Sequence, residues 1–448
     1  MRDAEDPRQA GGLLGERLAA FARNHLLPAP REFIGGRETA YSPADDDNHV
    51  FNVSMLRRGA VAGAPTLSVD LYSRATLLKP AETYRQIRQA GAVVWLPKHR
   101  LWVMGRYRDV RQALSDDETY CSGNGVAANP VTNVLTAGTT LASDGEAHAK
   151  RRRQLLQSLS AKALSAIDPV LQAEASAVID RLCDRVEFDG VSDFAAHLPI
   201  RVVADLVGVD IDHHRMLKYG RGGFDVLGPT NTRTLKAAPA GLSFWHYARS
   251  IRSENVKQGG WAQSVLAAGH AGAVTSAEAK AMVIDFIGPS LDTTILASAQ
   301  LLWSLGTNPE VWEELRHNPD LVSAAAVEAV RLGSPVRGFT RMLKKDSEVD
   351  GIALGRGQRV VLLYASANMD ETQFEQPEVF SLHRKGANLG WGFGAHACVG
   401  MHLSKVEMHA LMRAMIPRIA RIQVDKPVRL LNNTLQGFQS LRASFRAQ

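Results

Sequence analysis

Apolar residues recur at i, i+3 and i+4 over 145–186, 195–206, 276–306, 309–334 and 400–418, the spacing that lays an apolar stripe along one face of an α-helix. Strand-like runs are fewer. Residues 92–105, AVVWLPKHRLWVMG, hold two apolar runs around a polar PKHR turn and predict a β-hairpin; RVVLLYASAN at 359–368 predicts another strand, and NNTLQGFQSLRASF at 432–445 a closing hairpin. Irregular connections fall at 121–142 and 365–399. The pattern predicts a mostly α chain with small β-sheets, an α+β class. No internal repeat is visible, and no window of about 18 uninterrupted apolar residues exists, so no membrane span is expected. The best candidate, 282–303, is cut by Asp285, Pro289 and Asp292. Up to about residue 65 the chain is rich in Gly, Pro and Asp, with Leu13, Leu14, Leu18, Phe21 and Leu26 spaced like one face of a short helix and without the apolar core of a signal peptide. We read 1–65 as an N-terminal extension and 66–448 as the folded domain.

Composition narrows the partners. The 448 residues are 45% apolar and 22% charged, ordinary for a globular protein with a large core. A net charge of +6 suits an acidic protein partner or an anionic cofactor. No basic stripe interleaved with aromatics supports nucleic acid binding. Cys121, Cys183 and Cys398 lie far apart and are odd in number, which argues against a disulfide framework and for a reducing, cytoplasmic setting.

Cys398 lies in GWGFGAHACVGMHLSK, residues 390–405, among glycines and ahead of an amphipathic helix. Glycine lets backbone N–H groups approach a sulfur, and the positive end of a helix favours a thiolate. No second cysteine or carboxylate nearby completes a zinc site. The residues alone leave two readings open: an axial ligand to a planar metal cofactor, or a small buried cysteine in a tight turn.

WGFGAHACVG resembles the haem-binding loop of the cytochrome P450 haem-thiolate monooxygenases of the bacterial, ferredoxin-dependent type, with Phe393, Gly394, His396, Cys398 and Gly400 at matching positions. The resemblance implies a single triangular domain, with haem b between the Asp292 helix and the Cys398 loop and Cys398 as the iron ligand. Further along the chain Glu328 and Arg331 stand at i, i+3, which permits an ion pair; the resemblance makes them a structural triad with Arg384. His148 and Arg152 share a helix face at i, i+4, and the resemblance gives them, with Arg341 and His396, to the haem propionates. Asn388 stands where many bacterial members carry histidine. Asp292 and Thr293 lie in an otherwise apolar helix, unfavourable by propensity; the resemblance makes them the acid–alcohol pair that relays protons to the oxygen-binding side. Pro289 removes the N–H that would bond the Asp285 carbonyl and predicts a kink.

By the same analogy the substrate pocket draws on Val126, Phe224, Leu227, Phe286, Gly288, Val336, Phe339 and Phe438. This lining suits a small apolar, in part aromatic, organic substrate, to be hydroxylated or O-demethylated with O2. GGFDVLGPTN at 222–231 is similar to members that oxidise small aromatic acids, and Arg337, Ser122 and Asn124 are candidates to hold a carboxylate, although each reads more simply as a solvated loop residue. The chain carries no reductase motif, so electrons are expected from NAD(P)H through a separate reductase and ferredoxin, docking on Lys150, Arg151, Arg153 and Lys405. Two other classes stay open: a haem-thiolate peroxygenase or isomerase needing no electron partner, and a haem-based sensor or binding protein.

Overall fold

The computed structural model describes residues 61, 63–209 and 212–448. The expected extension at 1–65 lies outside them except for 61 and 63–65.

The helix Ser276–Thr307 organises the rest. It opens on a capping box in which Thr275 Oγ1 accepts from the Glu278 N–H and Glu278 Oε2 accepts from the Thr275 N–H. It is apolar almost all round, which requires burial on every side. The helices His213–Asp225, Trp261–His270 and Val322–Gly333 and the strand Ile419–Val424 pack against it. By length and composition this helix could cross a membrane, but 67% of its apolar stretch is buried inside the protein. Pro289, where a kink is expected, sits inside this helix, which runs on past it although the proline has no N–H to donate. Thr293 Oγ1 donates to the Pro289 carbonyl at 2.7 Å, a back-bond typical of helical threonine.

Beside the helices lies a five-stranded sheet in the order Val94–Leu96, Leu101–Met104, Arg359–Leu362, Phe339–Leu343, Tyr120–Cys121. The first two strands form the expected hairpin, with Trp95 opposite Trp102 and their rings 5.2 Å apart. Residues 359–362 pair in parallel with the hairpin and antiparallel to Phe339–Leu343. Three readings need correction. The 145–186 helix is broken into Gly145–Leu159, Ala161–Ser165 and Asp168–Cys183, because the Ser160 hydroxyl caps the Ala163 N–H and Pro169 starts a new first turn. The 309–334 helix is interrupted at Asn318–Pro319. The closing segment is not one hairpin: Phe438–Ser440 pairs with Val428–Arg429, while Arg442–Ala447 pairs with Ile419–Val424 and Phe188–Asp189.

Candidate functional site

Cys398 occupies a loop held by its own backbone. Its N–H donates to the Trp391 carbonyl at 2.7 Å, and the Ala397 N–H to the Gly394 carbonyl at 3.1 Å. Gly394 has φ +71°, and a Cβ there would stand 2.1 Å from the Leu114 carbonyl oxygen, so only glycine lets the loop lie against the Tyr107–Ser115 helix. Gly400 then ends the loop as the N-cap of Met401–Met415. The thiol is exposed, yet the protein mass around it pushes it up from its ordinary value, against the opposing pull of the Gly400 N–H and the Arg152 charge.

Arg152 acts on the thiol, and His148 and His396 lie beside Arg152. The His148 and His396 rings lie 4.1 Å apart. His148 is buried, and burial, with the charges of His396 and Arg152, lowers it to about 4, so it is neutral at neutral pH. Burial also disfavours charge on Arg152, with the Cys398 thiol opposing. Arg341 is 3% exposed and donates from Nη1 to the Thr340 carbonyl at 3.0 Å. Among the described residues neither Arg152 nor Arg341 has a carboxylate partner. Asp144 is the nearby acid, 3.6 Å from the buried, unbonded His396 Nε2. Burial alone would raise the Asp144 carboxyl, but His396, the Ser122 and Gly123 N–H groups and Lys344 hold it well below the usual range. Uncompensated cations around an open thiol fit an anionic planar group bound through sulfur.

Behind the loop, Glu328 and Arg331 form a bidentate pair, Nη2–Oε1 2.7 Å and Nε–Oε2 2.8 Å, at 3% and 1% exposure. Arg384 Nε adds a third bond to Oε1 at 2.6 Å and donates from Nη2 to the Val379 carbonyl at 2.6 Å. The three residues read as a triad are thus one network. Asn388 closes the chain next to it, donating to the Val327 carbonyl at 3.1 Å and accepting from the Gly390 N–H at 2.8 Å.

Three acids on the long helix, Glu278, Asp285 and Asp292, are spaced seven apart. Glu278 pairs with Arg151 at 2.7 Å, and Asp285 lies against Thr140, its carboxyl raised to about 6 by burial. Asp292 is 2% exposed, and burial, partly offset by Arg221, raises it to about 7. Its Oδ1 meets Arg221 Nε at 3.4 Å while Oδ2 has no partner. Gly220 allows this approach, since a Cβ there would stand 2.2 Å from Oδ2.

Of the expected pocket residues, Val126, Phe224, Leu227, Val336 and Phe339 share one apolar cluster with Leu296, Leu430 and Leu435. The other three belong to the main core: Phe286 packs on Trp261 at 5.7 Å, Phe438 on Trp303 at 6.0 Å, and Gly288 against the Phe244 ring. Arg151 is a correction, since its burial against Glu278 removes it from any docking face. Arg337 is likewise buried rather than solvated, as is Ser122. Sequence reading missed Trp391, whose carbonyl anchors the Cys398 N–H and whose Nε1 donates to Ser404 Oγ at 3.1 Å. Its place before the Gly-rich run was the available signal.

The family model for cytochrome P450 matches residues 250–420. Cytochrome P450 CYP199A2 of Rhodopseudomonas palustris is 30% identical over 388 residues, 85% of this chain and 94% of that protein. Linalool 8-monooxygenase of Pseudomonas putida is 26% identical, covering 83% of this chain and 96% of its own. Among solved structures, the haem domain of CYP116B5 from Acinetobacter radioresistens superimposes with a TM-score of 0.75 at 23% identity, over 85% of this chain and 97% of that one, a likeness of fold.

Proposed function

The chain belongs to the cytochrome P450 family of haem-thiolate monooxygenases, and from that premise we propose that it inserts one oxygen atom from O2 into a small, largely apolar organic substrate, with electrons from a separate ferredoxin and its reductase in the cytoplasm, and that 66–448 is its haem domain. Haem, when bound, supplies the activation of O2. The residues of the chain bind, orient and deliver protons.

In this reading Cys398 holds the iron, the Gly400 N–H and the Arg152 charge favour its thiolate, and Phe393, Gly394 and Gly400 shape the loop. His148, Arg152, Arg341 and His396 take the propionates, whose charge answers the uncompensated cations. Asp292, in contact with Arg221, moves protons inward from the surface. Raised to about 7, it exchanges protons near neutral pH, where a proton carrier is most effective. Thr293 offers its hydroxyl from the next position while held to the Pro289 carbonyl. Val126, Phe224, Leu227, Val336 and Phe339 exclude water around the substrate.

The observation that carries this reading is the open Cys398 thiol amid unpaired cations. Reduced, carbon monoxide-treated protein should show the red-shifted Soret band of thiolate ligation, and Cys398→His should abolish it. Persistence of the band in that variant would remove Cys398 from the site. The Asp292–Arg221 contact disfavours the sensor and peroxygenase alternatives, which need no proton relay.

A further inference from the structure

Asp144 stands at the N-cap of the Gly145–Leu159 helix, which carries His148 and Arg152, yet its side chain does not cap that helix. An N-cap aspartate ordinarily accepts from the N–H groups of its own first turn. Here only the Asp144 carbonyl serves the helix, accepting from the His148 N–H at 3.2 Å. The carboxylate reaches back to the irregular segment instead: Oδ1 accepts from the Ser122 N–H at 2.9 Å and Oδ2 from the Gly123 N–H at 2.8 Å. Gly123 makes room for it, since a Cβ there would stand 2.6 Å from Oδ2.

Two side chains complete the set. Lys344, directly after the strand of Arg341, places Nζ 3.2 Å from Oδ2, and His396 places Nε2 3.6 Å from Oδ1. Burial opposes the charge of Asp144, but His396, the two N–H groups and Lys344 outweigh it and keep the carboxylate ionised at neutral pH. Of the two acids that act on His148, Asp144 is the stronger and Asp117 the weaker. The irregular segment also has a second anchor, because Arg359 donates to the Gly125 carbonyl at 2.8 Å and to the Asn124 carbonyl. Asp144 thus joins the segment, the helix of His148, the strand of Arg341 and the Cys398 loop, and brings a negative charge to the point where they meet.

We propose that Asp144 is a positioning residue for the electron-accepting step: facing His396 as a fixed anion, it lowers the potential at which the haem iron takes an electron from the donor. The inference rests on Cys398 as the haem ligand and adds a control that this assignment does not contain. One electron gained leaves the site one charge more negative, and a neighbouring carboxylate disfavours that state by repulsion, which partly buried surroundings screen less than water does. Lys344 acts in the opposite sense and, half-exposed, more weakly.

The test measures the midpoint potential of haem-loaded protein by spectroelectrochemical titration at low salt, in preparations that show the carbon monoxide band of thiolate ligation and are therefore folded. Asp144→Asn should shift the ferric–ferrous equilibrium about tenfold toward the reduced form, a rise of about 59 mV for one electron. Asp144→Glu disturbs the same Ser122 and Gly123 contacts but keeps the charge, and its potential should stay close to the parent's. Lys344→Met should move the equilibrium the other way. An unchanged potential in Asp144→Asn overturns the proposal. Equal shifts in Asp144→Asn and Asp144→Glu would assign the residue a purely structural role and overturn it as well. Where Asp144→Asn fails to retain haem, Lys344→Met decides alone, and a potential at or above the parent's refutes the proposal. Absence of the thiolate band from the unmodified protein would instead strike at the haem-thiolate reading.

Discussion

Asp292 places a carboxylate where solvation cannot support its charge and gives it one partly exposed cation in return. An acid whose folded value is raised stabilises the fold while it is protonated. That contribution is complete below the ordinary value of 3.8 and is lost as pH rises through about 7. Asp292→Asn keeps the shape and removes the titration. The stability of the unmodified protein relative to this variant should therefore fall between pH 4 and 7, by on the order of 4 kcal/mol at most, and stay level outside that window. Thermal unfolding of both haem-loaded proteins across pH measures it; a constant difference would contradict the buried-acid account. Product formation by the variant should drop about 100-fold while substrate binding is kept. Cys398 and Asp292 each break a local expectation, a lone thiol among glycines and a charge inside an apolar helix, but their roles, like that of the Glu328–Arg331 pair, were legible only through the family resemblance. Trp391 was not. An aromatic beside glycine looks the same whether buried or solvated, and only packing decides.

Periodicity marks which residues face inward but is silent about where a helix stops when the apolar stripe continues past the break. That is why Ser160 and Asn318–Pro319 divided two helices read as whole. Strand pairing at the C-terminus was hidden for a related reason: Arg442–Ala447 finds its partner in Ile419–Val424, beyond the nearest turn. The Glu328 network spans such elements, tying the Val322–Gly333 helix to Arg384 and the segment around Val379 ahead of the Cys398 loop. Glu328→Gln leaves two guanidiniums facing a neutral amide, and breaking a buried pair typically costs about 3–5 kcal/mol. Urea unfolding should register that loss, accompanied by faster haem release. A variant as stable as its parent would mean that the network does not hold the loop.

For the whole molecule, burial of Arg151 shifts the expected donor-docking face onto cations that border the Cys398 loop. Arg111 lies 4.3 Å over the Phe393 ring, and Lys405 5.0 Å over the Trp391 ring. Arg111→Glu with Lys405→Glu should slow reduction by an acidic ferredoxin and flatten its salt dependence, leaving dithionite reduction unchanged. Stopped-flow rates at several ionic strengths would show otherwise if the donor docks elsewhere. The acids at 278, 285 and 292 carry a broader consequence. Seven residues fall about 20° short of two full turns, so the three climb the long helix in a nearly straight line roughly 10 Å apart. Each touches a different wall: Arg151 in the helix of His148, Thr140 in the irregular segment, Arg221 in His213–Asp225. The helix is thus pinned at three heights along one line, and a turn about its axis would strain all three contacts together.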